Sequence, residues 1–146
     1  MAQIPYDPDN VFKKILEGQV PCYKVFETEH AMAFLDAFPV ARGHCLLVPK
    51  QTGYATVMDM PEDVAADVLK ELPRLARAVM RASGADGVNI VQNNGKAAGQ
   101  VVFHVHFHVV PRFDGDRAVH MNAPSRDMIQ PELAQGVLAD LQQHLG

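Results

Sequence analysis

The chain has 146 residues and a mass of 16.0 kDa, enough for one hydrophobic core, and its 48% hydrophobic and 21% charged residues are typical of a globular domain. Thirteen basic against seventeen acidic residues give a formal charge of -4, which disfavours a module that binds nucleic acid or an anionic membrane. No apolar run reaches the roughly 18 residues of a membrane span, so no membrane partner is expected.

The chain carries no sign of targeting or of subdivision. Its first ten residues lack the cationic and apolar regions of a signal peptide, so we expect a cytoplasmic protein. The two cysteines, Cys22 and Cys45, do not suggest a disulfide framework. No repeat or linker-like stretch divides the sequence, which predicts a single domain over residues 1–146.

The first half of the chain predicts one short helix and three strands. Asp9 or Asn10 provides the N-cap of a helix of about two turns, and Gly18 lies just past its end. Short apolar segments bounded by turn residues then predict strands at residues 23–27, 31–36 and 44–49.

The second half begins with a long amphipathic helix, predicted over residues 61–83 with a kink at Pro73. A strand, a Gly-containing loop and a longer strand follow at residues 88–92, 93–99 and 101–110. Residues 112–124 look irregular, and a C-terminal helix covers about 131–145. Strands grouped around few helices predict an α+β fold with a mostly antiparallel sheet.

Three of the seven histidines, His104, His106 and His108, occupy alternate positions of the last predicted strand. Alternate side chains of a strand point to the same face, so the three rings are expected to reach a common ligand. The residues between them then face the core: Val105, Phe107 and Val109.

The histidine cluster allows three interpretations. The rings could be polar residues on the solvent side of a strand, but imidazole is not a generic surface group. They could bind a metal ion, although a metal site usually recruits a further ligand, and the alternating carboxylates expected nearby are missing. In the third interpretation one imidazole attacks an electrophile while its neighbours bind oxygens and transfer protons.

The loop before the histidines, NNGKAAGQ, favours nucleophilic chemistry. Gly95 and Gly99 allow a close approach of the backbone, so the loop amides can converge on an anion, and Asn93 and Gln100 add uncharged donors. The same Asn-Gly pair also fits a plain hairpin connection. Placed directly before three clustered histidines, the loop indicates a phosphate or oxyanion site.

The run QVVFHVHFHVV, residues 100–110, resembles the histidine triad motif that names the HIT family of nucleotide hydrolases and transferases. The resemblance extends from the first helix through Arg112. It implies a HIT-like fold with a mostly antiparallel five-stranded sheet, two main helices plus the C-terminal helix, and a protomer that pairs into a two-fold homodimer with a continuous sheet. It also implies attack on the α-phosphorus of a purine nucleotide.

The resemblance assigns the catalytic roles. His106 would be the nucleophile that forms a nucleotidyl-imidazole intermediate, with its other ring nitrogen held by the backbone carbonyl of His104. His104 and His44 would be supporting histidines, bonded to one another. The implied phosphate ligands are His108, Gln100, Asn93 and the loop amides at Gly99.

The resemblance also implies a nucleoside site. Asp36, at the end of the strand MAFLD, matches the acidic position that binds ribose hydroxyls. An apolar slot for the purine base is implied at Phe12, Ile15, Val20, Phe34, Leu35 and Ala37.

Two departures from the family pattern affect the chemistry. Val101 stands where many members carry Ser or Thr to assist the leaving group, so the proton for that group must come from elsewhere. Asn10, Lys13 and Thr52 replace residues that help bind structural zinc in many bacterial members. We therefore expect no metal site and no required cofactor.

The resemblance therefore implies a nucleotide hydrolase that cleaves at the α-phosphate of a nucleoside phosphoramidate or a dinucleoside polyphosphate. The sequence does not decide between the two substrates. A nucleotidylyltransferase is disfavoured because that branch carries Gln at the position of His108. A non-catalytic protein that binds nucleotide or metal through the histidines is the alternative from another class.

Overall fold

The computed structural model describes residues 3–116 and 127–146. Its strands are β1 (Lys24–Glu27), β2 (Ala31–Leu35), β3 (Cys45–Pro49), β4 (Gly87–Val91) and β5 (Phe107–Arg112). Its α-helices are α1 (Val11–Leu16), α2 (Glu62–Leu69), α3 (Leu72–Ser83) and α4 (Pro131–Gln143). The strands form one antiparallel sheet in the order β1-β2-β3-β5-β4, which confirms the predicted fold class. Of the segment predicted to be irregular, residues 117–124 lie outside the described residues.

The sheet is covered on both faces, which explains why β2 and β3 are apolar at every position. Ala31, Ala33 and Leu35 of β2 pack with the layer of α2, α3 and α4. Met32 and Phe34 point the other way and pack with Phe12 of α1. The sheet therefore separates a large helical core from a thinner layer, and the thinner layer contains the site described below.

The long helix predicted over residues 61–83 is in fact two helices. α2 ends at Leu69, and α3 begins at Leu72 with Pro73 in its first turn. Proline lacks the N–H that a helix interior needs, whereas the first turn leaves that N–H unused, so the chain restarts the helix at the proline. None of the helices in the described part of the chain combines the length and the apolar character that crossing a bilayer demands.

The strand predicted over residues 101–110 begins later than expected. Residues 101–106 are irregular, and β5 starts at Phe107 and continues through Pro111 to Arg112. β3 pairs with β5 only at residues 107–109, so the missing N–H of Pro111 breaks no bond to β3. The period-2 rule therefore applies to His108 but does not extend back to His104.

Candidate active site

A cavity of about 680 Å³ opens on the α1 side of the sheet. Its volume lies in the range of small-molecule sites, and most of its lining is aliphatic or aromatic. The structure places all six residues predicted for a base slot on its wall: Phe12, Ile15, Val20, Phe34, Leu35 and Ala37. The predicted grouping of these residues around one pocket is therefore confirmed.

The polar part of the same lining contains Asp36, Asn93, Gly99, His106 and His108. These residues come from the end of β2, from the loop after β4 and from the start of β5. The structure thus brings the predicted ribose ligand, part of the predicted phosphate loop and two of the three histidines to one cavity. Among the described residues, no Lys or Arg lines it.

The His106 ring presents an unprotonated nitrogen to the cavity. Its Nδ1 lies 2.7 Å from the backbone carbonyl oxygen of His104, which confirms the predicted hydrogen bond. A carbonyl oxygen only accepts, so His106 Nδ1 carries the proton. Burial lowers the pKa of His106, which keeps the ring neutral. Nε2 therefore holds a free lone pair, the form that a nucleophile needs.

The His108 ring has the opposite arrangement. The Val40 N–H donates to His44 Nδ1 at 3.2 Å, so the proton of the neutral His44 ring is on Nε2. His44 Nε2 then donates to His108 Nδ1 at 2.9 Å, which leaves the His108 proton on its Nε2. Burial lowers the pKa of His44 to about 4 and that of His108 to about 3, consistent with two neutral rings. Two groups therefore lie side by side at the cavity: the lone pair of His106 Nε2 and the N–H of His108 Nε2.

His44 and His104 are not bonded to one another, contrary to the expectation from the family resemblance. His44 bonds to His108, whereas His104 Nε2 bonds to the carbonyl oxygen of Pro49 at 3.0 Å. His104 Nδ1 bonds to the Tyr6 hydroxyl at 2.8 Å. The fully buried His104 ring is absent from the cavity lining, so the three rings do not share one ligand. The reason is the irregular backbone over residues 101–106, which turns this ring away from the other two.

Asp36 lies beside the histidine pair. Its Oδ1 accepts the Phe38 N–H at 2.8 Å, and its Oδ2 is 3.4 Å from His44 Nε2 and 4.0 Å from His108 Nδ1. Because both rings are neutral, no positive charge offsets the carboxylate. Burial raises the pKa of Asp36 to about 6, although the Phe38 N–H bond opposes this. The carboxylate of Asp36, ionised at neutral pH, can therefore accept further hydrogen bonds, and ribose hydroxyls are suitable donors.

The Gln100 side chain bonds within the protein and is absent from the cavity lining. Its Oε1 accepts the Gly95 N–H at 2.7 Å, and its Nε2 donates to the carbonyl oxygens of Ala55 and Val102. The amide is buried with both of its N–H groups used, and its contact with phosphate stays a prediction. Its bonds hold the loop closed. Gly99, at φ +94°, remains at the cavity together with Asn93.

One group of side chains has metal-ligand chemistry among the described residues. The ligand atoms of Asp36, His44 and His108 lie within 4.8 Å of one another. A metal would need the lone pair of His44 Nε2, yet that nitrogen carries the ring proton because Val40 occupies Nδ1. The group is therefore organised as a hydrogen-bonded chain.

The positions linked to structural zinc do not fit that ion. Asn10 caps α1 by accepting the Lys13 N–H, and Lys13 pairs with Glu17 at 3.7 Å. Amide and ammonium groups are not the ligands that zinc prefers.

Several residues of the site escaped the sequence-based interpretation. Tyr6 and Val40 fix ring protons but lie in segments without a motif, and the partner of Tyr6 is 98 residues away in sequence. Met128 and Ile129 join the cavity lining because the Ile129 N–H bonds to the Ala37 carbonyl oxygen at 2.7 Å. The apolar pair before Pro131 was the available signal for these two residues.

Comparisons with known proteins cover this site. A family model described as the HIT domain matches residues 17–115. An adenosine 5'-monophosphoramidase of Saccharomyces cerevisiae is 38% identical over 126 residues, 86% of this chain and 77% of the relative. An adenylylsulfatase of Arabidopsis thaliana is 41% identical over 108 residues, 74% of this chain but 54% of the relative, so the chain spans about half of that protein.

The fold is shared as well. A crystal structure of a Hit-like protein of Bartonella henselae, described as involved in cell-cycle regulation, matches with a TM-score of 0.87 at 30% identity. The match covers 97% of this chain and 99% of that one. The structural similarity therefore extends over nearly the whole chain.

Proposed function

Because this chain belongs to the HIT domain family, we propose that it hydrolyses a purine nucleotide at the α-phosphate through a nucleotidyl-histidine intermediate on His106. The observation that carries the proposal is the pairing of a free lone pair on His106 Nε2 with an N–H on His108 Nε2 in a nucleoside-sized cavity. The names of the relatives, a monophosphoramidase and an adenylylsulfatase, support hydrolysis next to an adenylyl group.

The proposed reaction has two steps. First, His106 Nε2 bonds to phosphorus and the bond from phosphorus to the leaving group breaks, while His108 Nε2–H donates to a phosphate oxygen. Val101 has no hydroxyl, and each neutral ring of the His44–His108 pair has only one proton, so the leaving amine takes its proton from solvent. Water then attacks phosphorus, the bond from phosphorus to His106 Nε2 breaks, the proton lost by the water returns to solvent, and the nucleoside monophosphate leaves with His106 neutral again. The ring nitrogens supply these steps, so we propose that no metal cofactor is required.

The charge of the cavity bears on the substrate. Its described lining contains the carboxylate of Asp36 and no cation. A dinucleoside polyphosphate brings several negative charges that would lose water without gaining a counter-charge, which is costly. A nucleoside phosphoramidate brings a single charge at the reacting phosphorus. We therefore propose the phosphoramidate, or a similar single-phosphate link, as the substrate class.

This proposal is tested by comparing adenosine 5'-phosphoramidate with diadenosine tetraphosphate on the purified protein. We expect kcat/KM to favour the phosphoramidate by at least about tenfold, equivalent to ~1.4 kcal/mol in the barrier. Added salt should narrow the difference, since it screens the charge repulsion at the cavity mouth. A higher kcat/KM for the tetraphosphate would contradict the assignment. Binding of both nucleotides without turnover would favour the non-catalytic alternative.

We also propose that the protein is a two-fold homodimer joined through β4. Among the described residues β4 is an edge strand of the sheet, where a second chain can pair, and Ile90 on it is 44% exposed. In a two-fold contact, a residue near the axis faces its own copy in the partner. Ile90→Lys would therefore place two like charges opposite each other, and their repulsion would weaken the contact.

Light scattering after gel filtration tests the dimer. The wild type should elute as a dimer and Ile90→Lys as a folded monomer. Met58→Lys is the matched control, because Met58 is also exposed but belongs to the turn at residues 57–59 and not to β4. A dimeric Ile90→Lys or a monomeric wild type would rule out this interface.

A further inference from the structure

The segment that precedes α1, residues 3–10, contacts the histidine that holds the nucleophile. The Tyr6 hydroxyl lies 2.8 Å from His104 Nδ1, and the two ring centroids are 5.7 Å apart. His104 is fully buried, whereas Tyr6 is only partly covered. The N-terminal segment therefore reaches the interior of the site with one polar atom.

The direction of each hydrogen bond around His104 follows from its partners. The Pro49 carbonyl oxygen can only accept, so His104 Nε2 carries the ring proton. Nδ1 of the neutral ring is then an acceptor, and the Tyr6 hydroxyl is its donor. The His104 backbone carbonyl in turn accepts the proton of His106 Nδ1. Tyr6 and His106 thus bond to the same residue, Tyr6 to the ring of His104 and His106 to its backbone carbonyl.

Residues on both sides of Tyr6 in the sequence make contacts that hold the segment in place. Asn10 donates from Nδ2 to the Asp7 carbonyl oxygen and accepts the Lys13 N–H, which joins the segment to α1. Phe12 of α1 packs edge-on against His106, with ring centroids 4.9 Å apart. On the other side, Ile4 leaves so little space at Gly95 that a Cβ there would lie 3.0 Å from its Cδ1. Tyr6 therefore contacts His104 from a segment that is anchored at Ile4 and at Asn10.

We propose that Tyr6 is a positioning residue for the reaction. Its hydroxyl holds the His104 ring, and through the His104 carbonyl it sets the orientation and the protonated nitrogen of the His106 nucleophile. This inference rests on the proposed function for its kinetic effect. The hydrogen bonds of His104 with Tyr6 and with His106 can be tested without turnover.

The kinetic test compares Tyr6→Phe with Tyr54→Phe on adenosine 5'-phosphoramidate. Tyr6→Phe removes only the hydroxyl, so the fold is kept while the buried His104 Nδ1 loses its donor. A small displacement of a reacting group lowers rate more than binding, so we expect kcat to fall about 10- to 100-fold with KM unchanged. Tyr54→Phe is the matched control. That ring is partly buried in the main core, outside the cavity lining, and this variant should keep the wild-type kcat.

The second test uses the imidazole ¹⁵N signals of the same proteins without substrate. In the wild type, His104 should carry its proton on Nε2 and His106 on Nδ1. Tyr6→Phe should shift the His104 Nδ1 signal and broaden or shift the His106 Nδ1–H signal, while Tyr54→Phe leaves both in place. Unchanged signals in Tyr6→Phe, or a kcat equal to that of the control, would overturn the inference. An inactive wild type with the expected signals would instead contradict the proposed function, while the hold of Tyr6 on the two histidine rings would stand.

Discussion

Replacing His106 with alanine should lower kcat on adenosine 5'-phosphoramidate by about 10⁴-fold or more, because it removes the atom that bonds to phosphorus. Binding of adenosine monophosphate should persist, since the apolar wall and Asp36 come from other elements. Steady-state kinetics and calorimetric titration measure the two effects. His30→Ala is the control, because His30 is partly exposed beside Glu29 and Asp67 and lies outside the cavity lining.

A loss of only a few-fold would remove His106 from the role of nucleophile. An equal loss in His30→Ala would show that kcat responds to histidine replacement in general. The arrangement of protons makes these outcomes distinct, since His106 presents the lone pair and His108 presents an N–H.

Replacing Asp36 with asparagine should weaken substrate binding and strengthen the fold. A carboxylate that accepts from ribose hydroxyls contributes about 1.5–3 kcal/mol per charged hydrogen bond, so KM should rise roughly 10- to 100-fold. Asparagine keeps the acceptor for the Phe38 N–H but removes the buried charge. Activity and stability should therefore change in opposite directions.

The stability effect depends on pH in a defined sense. The pKa of Asp36 in the folded chain is about 6, above the ordinary value of 3.8, so ionisation disfavours the native state. Relative to Asp36→Asn, the wild type loses stability as pH rises from about 4 through 6, while the buried histidines affect both proteins alike. The difference approaches ~3 kcal/mol above pH 7 and vanishes below the unfolded-state pKa.

Denaturant unfolding of the two proteins at pH 7.5 and at acid pH measures this difference. Equal stability at pH 7.5 would mean that the buried carboxylate has a partner that offsets its charge. An unchanged KM would mean that Asp36 does not meet the ribose.

The grouping of the apolar residues around one cavity was predictable because it depends on family position and on apolar pattern. All six residues assigned to the base slot line the cavity, and Asp36 lies at its polar part. The five-stranded antiparallel sheet was predictable because short apolar runs bounded by turn residues leave few other choices.

The details around the histidines were not predictable from periodicity. A run of alternating histidines reads as one strand, but the bonds of His104 to Pro49 and Tyr6 turn its ring elsewhere, and these partners are 55 and 98 residues away in sequence. The internal bonds of Gln100 were not predictable for a similar reason. Its position beside the motif suggested a ligand, while its amide is used by Ala55, Val102 and Gly95.

The position of the break between α2 and α3 was predicted, but its form was not. Pro73 marks the position, but whether a proline kinks a helix or restarts it depends on the packing of the two halves, which local sequence does not encode.

The central claim is that His106 is covalently nucleotidylated, and intact-protein mass after a brief acid-free quench tests it most directly. Wild-type protein mixed with adenosine 5'-phosphoramidate should gain the mass of one adenylyl group. In His108→Ala the adenylyl group should form or be hydrolysed more slowly than in the wild type. In His106→Ala it should not form at all. An adenylyl mass that persists in His106→Ala, or a wild type that turns over substrate with no such species on any time scale, would contradict covalent catalysis at this residue.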